Sequence, residues 1–230
     1  QSSSVAHLSN GNIVIISNIS RDGENKIIGE IFSKNGDRIG SEFEVYSSNR
    51  PIFNTKPQVT ACPDGGFAVV FQSTGDNTAG DWFLYGAKFD QSGKSSAGVF
   101  QIGDQDNSRV VETQVRAISN DLILVAKFQS PDGTRNGSTS LEIIDTTTQA
   151  IVAESAFEET YSISNQNFAI TSSNDANDMI TLVWEGASGA YVKYFNCSTQ
   201  RFSESVLLDG VDDFKSIGET NLDEAHAIII

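Results

Sequence analysis

Short apolar runs punctuate this chain, each standing behind a polar turn. The runs are Ile13-Val14-Ile15-Ile16, Phe67-Ala68-Val69-Val70-Phe71, Leu122-Ile123-Leu124-Val125, Met179-Ile180-Thr181-Leu182-Val183-Trp184 and Ala225-His226-Ala227-Ile228-Ile229-Ile230. The turns ahead of them are Asn10-Gly11-Asn12, Pro63-Asp64-Gly65-Gly66, Asn120-Asp121, the stretch from Asn174 to Asp178, and Asp223-Glu224. Asn-Gly and Asp-Gly tolerate the positive φ of tight turns, so between apolar segments they mark hairpins. A short alternating segment precedes each turn, at Val5 to Leu8, Gln58 to Ala61, Gln114 to Ile118, Phe168 to Thr171 and Ile217 to Thr220. Each unit therefore opens with a hairpin.

A loop rich in Gly, Asp, Asn and Ser then leads to a third segment, at Ile27 to Phe32, Phe83 to Phe89, Leu141 to Ile144 and Tyr191 to Phe195. A polar turn leads on to a fourth, at Glu42 to Val45, Val99 to Ile102, Glu154 to Phe157 and Ser205 to Leu208. The unit recurs about every 50 to 57 residues, and a fixed period of that size marks propellers, solenoids and arrays. Four short strands joined by turns predict a four-stranded antiparallel meander, the blade of a β-propeller. The expected fold is thus all-β, a propeller-like array with repeats at about 1–50, 51–107, 108–164 and 165–215 and half of a fifth at 216–230. One body is the simpler reading of this length. No capped stretch of helical period appears, so little or no helix is expected. The chain opens inside a first strand and stops inside a second one, which reads as a piece of a longer polypeptide.

Composition narrows the partners. The formal charge is −15, from 30 acidic and 15 basic residues, and nucleic-acid binding needs a basic surface. No apolar run approaches the roughly 20 residues that span a bilayer, so membrane insertion is not expected. Cys62 and Cys197 fall at non-equivalent places, with no Cys-x-x-Cys or Cys/His cluster, which argues against a zinc or redox site.

Candidate chemistry is thin. Of the two histidines, His7 and His226, neither accompanies a Ser or Cys nucleophile in a recognisable elbow. A sialidase-type Ser-x-Asp-x-Gly-x-x-Trp box is matched only in its first letters, at Ser20-Arg21-Asp22-Gly23 and Ser130-Pro131-Asp132-Gly133. Glu158-Glu159 and Asp212-Asp213 are sequence neighbours and would point to opposite faces of a strand. No catalytic residue and no cofactor are assigned, and the chain reads as a non-enzyme. Calcium stays open at the oxygen-rich stretches Gly75 to Asp81 and Asp104 to Asn107, although the same residues are ordinary turn formers. Sequons place candidate glycosylation at Asn18, Asn136 and Asn196. Trp82 beside Asp81 is a candidate glycan contact, because an exposed indole stacks on sugar rings; Trp184 reads as core.

The stretch Pro57-Gln58-Val59, Asp64-Gly65-Gly66-Phe67-Ala68-Val69-Val70-Phe71, Tyr85-Gly86-Ala87-Lys88-Phe89-Asp90 and Phe100-Gln101-Ile102 resembles a repeat of very large secreted or surface proteins, including bacterial RTX-like adhesins. Repeat one follows it through Gly29-Glu30-Ile31-Phe32 and Glu42-Phe43-Glu44-Val45, while repeats three and four keep only the hydrophobic skeleton. The resemblance implies an extracellular or cell-surface, non-catalytic module, structural or adhesive, part of a filament or other assembly. Its partners would be protein, by self-assembly or through the rest of a longer chain, with glycans second. A lectin-like, carbohydrate-binding propeller is the alternative. The shared letters are turn and core positions, so they transfer no functional residue.

Overall fold

Turns and apolar runs translate directly into hairpins. The computed structural model describes residues 2–21, 24–48, 56–73, 83–103, 109–130, 136–156, 161–162, 168–172, 179–186 and 189–208. All regular structure among these residues is β-strand. The first sheet takes β1 (Ser3–His7), β2 (Ile13–Arg21), β3 (Glu24–Phe32) and β4 (Arg38–Ser48) in sequence order. The second takes β5 (Gln58–Ala61), β6 (Phe67–Ser73), β7 (Phe83–Phe89) and β8 (Ser95–Ile102). The third takes β9 (Arg109–Ala117), β10 (Leu122–Ser130), β11 (Asn136–Asp145) and β12 (Ala150–Ala156), with β13 (Tyr161–Ser162) pairing β11. The fourth takes β14 (Phe168–Ser172), β15 (Met179–Gly186), β16 (Gly189–Asn196) and β17 (Arg201–Phe202), with β18 (Val206–Leu207) also pairing β16. These are the antiparallel meander blades that the repeat predicts. The partial repeat at 216–230 lies outside the described residues.

The chain divides into two compact units, one of residues 1–133 and 140–154, the other of 134–139 and 155–230. In the first, blades 1 to 3 stack face to face, with inner strands β1 beside β5 and β5 beside β9. Hydroxyls clip the inner strands together: Ser4 Oγ accepts the Val59 N–H at 3.1 Å, and Thr60 Oγ1 accepts the Ala117 N–H at 3.0 Å. In the second unit, Trp184 is buried on β15 and stacks on Tyr191 at 5.6 Å, a core role as expected.

Every residue of β6 is buried. Phe67, Val69 and Phe71 pack on Leu8, Val14, Ile16, Ile27, Ile31 and Val45 of blade 1. Ala68 and Val70 point the other way, towards Ile123, Val125 and Ile144 of blade 3. A strand covered on both faces reads as a continuous apolar run rather than an alternation, which is why these runs dominate the sequence. Each such side chain contributes on the order of 1.5–3 kcal/mol by leaving water. Between blades 1 and 2 the packing is aromatic: Phe43 lies 6.0 Å from Phe67 and 5.4 Å from Phe89, and Tyr46 lies 5.1 Å from Phe71. The Phe100 ring lies over Gly86, where a Cβ would meet it at 2.7 Å; Phe43 covers Gly29 in the same way.

Short turns join first to second and third to fourth strands at one end of the blades. There Lys88 of β7 binds Asp64 at 3.1 Å and Asp121 of the next blade at 3.0 Å. Burial alone would lower the Lys88 ammonium, but hydrogen bonds to Asp121 and Asp64 outweigh it and hold the pKa above its ordinary value. The Lys88 hydrogen bond in turn holds Asp121 below the usual carboxylate range. Cys62 is buried at the place occupied by Leu8 and Ile118 in the neighbouring turns, each closing on a backbone carbonyl four residues ahead. Burial and then the charge of Asp64 push its thiol up to about 11. Cys62 and Cys197 are not joined in a disulfide.

The turns between third and fourth strands show a regularity that the letters conceal. Ser33, Asp90, Asp145 and Asn196 each accept backbone N–H groups from the turn that follows, at 2.8–3.2 Å. The turn then passes through positive φ at Gly36 (88°), Gly93 (82°), Gln149 (62°) and Gln200 (53°). Repeats three and four thus keep the turn in a version one residue longer, with Gln where glycine is expected. Strands also run further than predicted. β4 begins at Arg38 rather than Glu42, and β12 begins at Ala150 rather than Glu154. Both expose most of one side to solvent, so polar residues mask their alternation.

Two outcomes follow from these geometries. Gln149→Gly relieves a left-handed side chain and raises the free energy of unfolding by about 1 kcal/mol in urea titrations; unchanged or lower stability would contradict the turn geometry. Asp121, with its depressed folded pKa, supports the fold above the ordinary carboxylate value of about 3.9 and loses that support as pH falls. Asp121→Asn is therefore less stable than the parent at about pH 7, and the gap narrows as pH falls below about 3.9 and through the lower folded value. A gap independent of pH would refute the pairing. Lys88, raised in the fold, has the opposite sign: its contribution is whole below about pH 10 and lost as pH rises through the folded value.

Candidate functional site

On the faces that blades 2 and 3 turn to each other, residues change character along the strands. β10 reads Ile123, Val125, Lys127 away from its turn. Beside it β9 reads Ala117, Val115, Thr113, and β11 reads Ile144, Glu142, Ser140. From blade 2, β6 reads Ala68, Val70, Gln72. Ala68, Val70, Ile123, Val125 and Ile144 belong to one core cluster with Val115 and Ala117 packed on it, and side chains two apart share a face. The interface is apolar near the short turns and polar at the far end. Residues 74–82, 104–108 and 131–135, which follow β6, β8 and β10 in sequence, lie outside the described residues.

Lys127 and Glu142 form the centre of this polar end, Nζ to Oε1 at 2.5 Å, with side chains 10% and 6% exposed. Thr113 is the cross-strand neighbour of Lys127. Blade 2 meets the pair through Gly103, at φ 71°, where a Cβ would sit 3.3 Å from Lys127 Nζ and 3.8 and 3.9 Å from the Glu142 oxygens. Its positive φ suits glycine. Gln101 Nε2 donates to the Gly103 carbonyl at 3.2 Å.

Four buried polar atoms here have no protein partner: Gln72 Nε2, Thr113 Oγ1, Ser140 Oγ and Glu142 Oε2. Gln72 and Thr113 are each only 3% exposed. Leaving such a group unpaired costs roughly 1–3 kcal/mol. At the opposite end of the same interface Lys88 is fully engaged by two carboxylates and the Asn120 carbonyl. Chemically, the far end offers a carboxylate oxygen that accepts, two hydroxyls that donate or accept, and an amide that donates. Lys127 already neutralises the carboxylate, which disfavours a cation. Among the described residues no group of three or more His, Cys, Asp or Glu is placed to hold a metal ion.

Of the candidates read from sequence, Asn18 sits half-buried on β2, paired with Ile27. Asn136 begins β11 opposite Ser162. Asn196 ends β16, its Oδ1 accepting the Thr199 N–H at 2.8 Å. Asp81, Trp82 and the stretches 75–81 and 104–107 lie outside the described residues, as do His226 and the paired carboxylates at 158–159 and 212–213. His7 is exposed on β1. Gln72, Thr113, Lys127, Ser140 and Glu142 escaped the sequence reading. Their signal was a charge inside an apolar run, Lys127 before Phe128 and Glu142 between Leu141 and Ile143.

No protein-family model matches the chain, and no curated protein matches it. Solved structures do. One is the α-L-arabinanase of Penicillium chrysogenum complexed with arabinobiose, with TM-score 0.52, 9% identity, 91% of this chain covered and 67% of that one. Another is an α-L-arabinofuranosidase of Fusarium graminearum with an iminosugar inhibitor, at TM-score 0.50 and 12% identity, covering 89% and 64%. The polysaccharide lyase Uly1 matches with TM-score 0.51 and 8% identity, covering 94% and 50%. The chain spans about two thirds of the length of the first two. Identities this low show the fold alone, that of a β-propeller.

They also correct two expectations. The chain was expected to be no enzyme but a structural or adhesive module, whereas these neighbours are carbohydrate-active enzymes. The physical reason lies in the architecture. A propeller assembles its site from strand ends and loops of separate blades, about 50 residues apart here, so the lack of a contiguous motif excludes nothing.

Proposed function

We propose that this chain is the propeller of a carbohydrate-active enzyme, of glycoside-hydrolase-like architecture, engaging glycan at the end of the blades opposite the short turns. One observation carries the reading: the only buried, unpartnered side-chain polar atoms among the described residues gather at that end, between blades 2 and 3. They offer the mixed donor and acceptor pattern that sugar hydroxyls complement. Propeller neighbours that process arabinan-type sugars and polysaccharide support it. Trp82, next to Asp81 and just before β7 in sequence, has the indole that stacks on sugar rings and is the glycan contact we propose. An extracellular setting, where such glycans occur, suits the three sequons.

The test uses the intact protein against a panel of neutral and acidic oligosaccharides, following released reducing or unsaturated ends. Saturable turnover of at least one panel member is expected, and Trp82→Ala weakens it about tenfold by removing a stacking contact worth roughly 1–1.5 kcal/mol. No binding and no turnover across the whole panel would end the proposal.

A further inference from the structure

From the same polar end we infer that blades 2 and 3 hold between them a subsite for an uncharged, hydroxyl-bearing sugar residue, selecting neutral over acidic glycans. The inference rests on the carbohydrate reading and deepens it. Among the described residues Lys127 is the cation of this group, and Glu142 Oε1 occupies it at 2.5 Å, so this pair offers a uronate no uncompensated positive charge. Glu142 Oε2 is a bare acceptor; a hydroxyl donates to it, whereas a second carboxylate is repelled in a medium of low dielectric. Gln72 Nε2, Thr113 Oγ1 and Ser140 Oγ supply the donors that a hydroxyl's lone pairs require. The net charge of −15 adds long-range repulsion of polyanions.

Gln72, Thr113 and Glu142 are each at least nine-tenths buried. A buried polar atom without a protein partner marks a place where a water, an ion or a ligand completes the bonding. Nor is the arrangement a by-product of close packing. Val or Leu at Thr113 and Gln72 would extend the apolar interface already built by Val115, Val70 and Ala68.

Binding of a neutral arabinotriose and of a galacturonate trimer to the intact protein, by titration calorimetry, tests the selectivity. The neutral sugar is expected to bind and the acidic one to bind at least tenfold more weakly. If the galacturonate binds and the arabinotriose does not, the neutral subsite is wrong while the carbohydrate reading stands. If no neutral member of the panel binds but another acidic one does, the neutral subsite is again wrong alone; if no member of the panel binds or is turned over, both fall together. Glu142→Gln keeps the shape and removes the charge; it is expected to weaken neutral binding about tenfold. Because that change also leaves Lys127 unpaired, Thr113→Val and Gln72→Leu carry the test independently. Each deletes an unpartnered polar atom, so each is expected to raise the urea midpoint while lowering neutral-sugar affinity about threefold to tenfold. Variants that lose stability and bind normally would instead mark a network satisfied by ordered water only, and would overturn the subsite.

Discussion

Burial of the second strand on both faces is the constraint from which the rest follows. β6 carries Phe67, Val69 and Phe71 to one side and Ala68 and Val70 to the other, all inaccessible to solvent. A blade cannot satisfy such a strand alone, so each needs a neighbour on either face. The flat aromatic groups of blades 1 and 2 and the smaller side chains of blades 2 and 3 are two solutions to the same demand. Glycines at 29 and 86 let Phe43 and Phe100 lie against the strand backbone, which fixes the spacing of one sheet over the next.

Once blade faces are committed to one another, a polar side chain on such a face needs a partner within the interface. Lys88 shows the complete answer, with two carboxylates drawn from two adjacent turns. Lys127 and Glu142 show a partial one, because the carboxylate has two oxygens and the lysine meets only one. The contrast between two ends of a single interface is what separates a structural ion pair from a candidate binding site. The same apolar packing surrounds both, so packing alone does not account for the difference.

Much of the fold was legible because turn chemistry and strand burial are local. Asp64-Gly65-Gly66 announced a hairpin, and the apolar run after it announced its second strand. Strand ends were less legible: β4 and β12 are solvated along one side, and polar residues such as Arg38 and Glu154 hide their period. The kinship of the turns at Asp145 and Asn196 with those at Ser33 and Asp90 was hidden because a left-handed Gln looks like any other polar residue. The candidate site was nearly invisible. Thr113 and Ser140 are unremarkable letters in sequence, and only strand register brings them beside Lys127 and Glu142. A search for contiguous motifs therefore says little about a fold that can assemble a site from separate blades.

The central claim is that the polar end of the interface between blades 2 and 3 exists to meet a sugar. A crystal structure of the intact protein with a bound neutral oligosaccharide tests it most directly. A sugar hydroxyl within about 3 Å of Glu142 Oε2, with Gln72 or Thr113 bonded to the same residue, is the predicted result. Sugar bound elsewhere, with ordered water alone on Glu142, would contradict it.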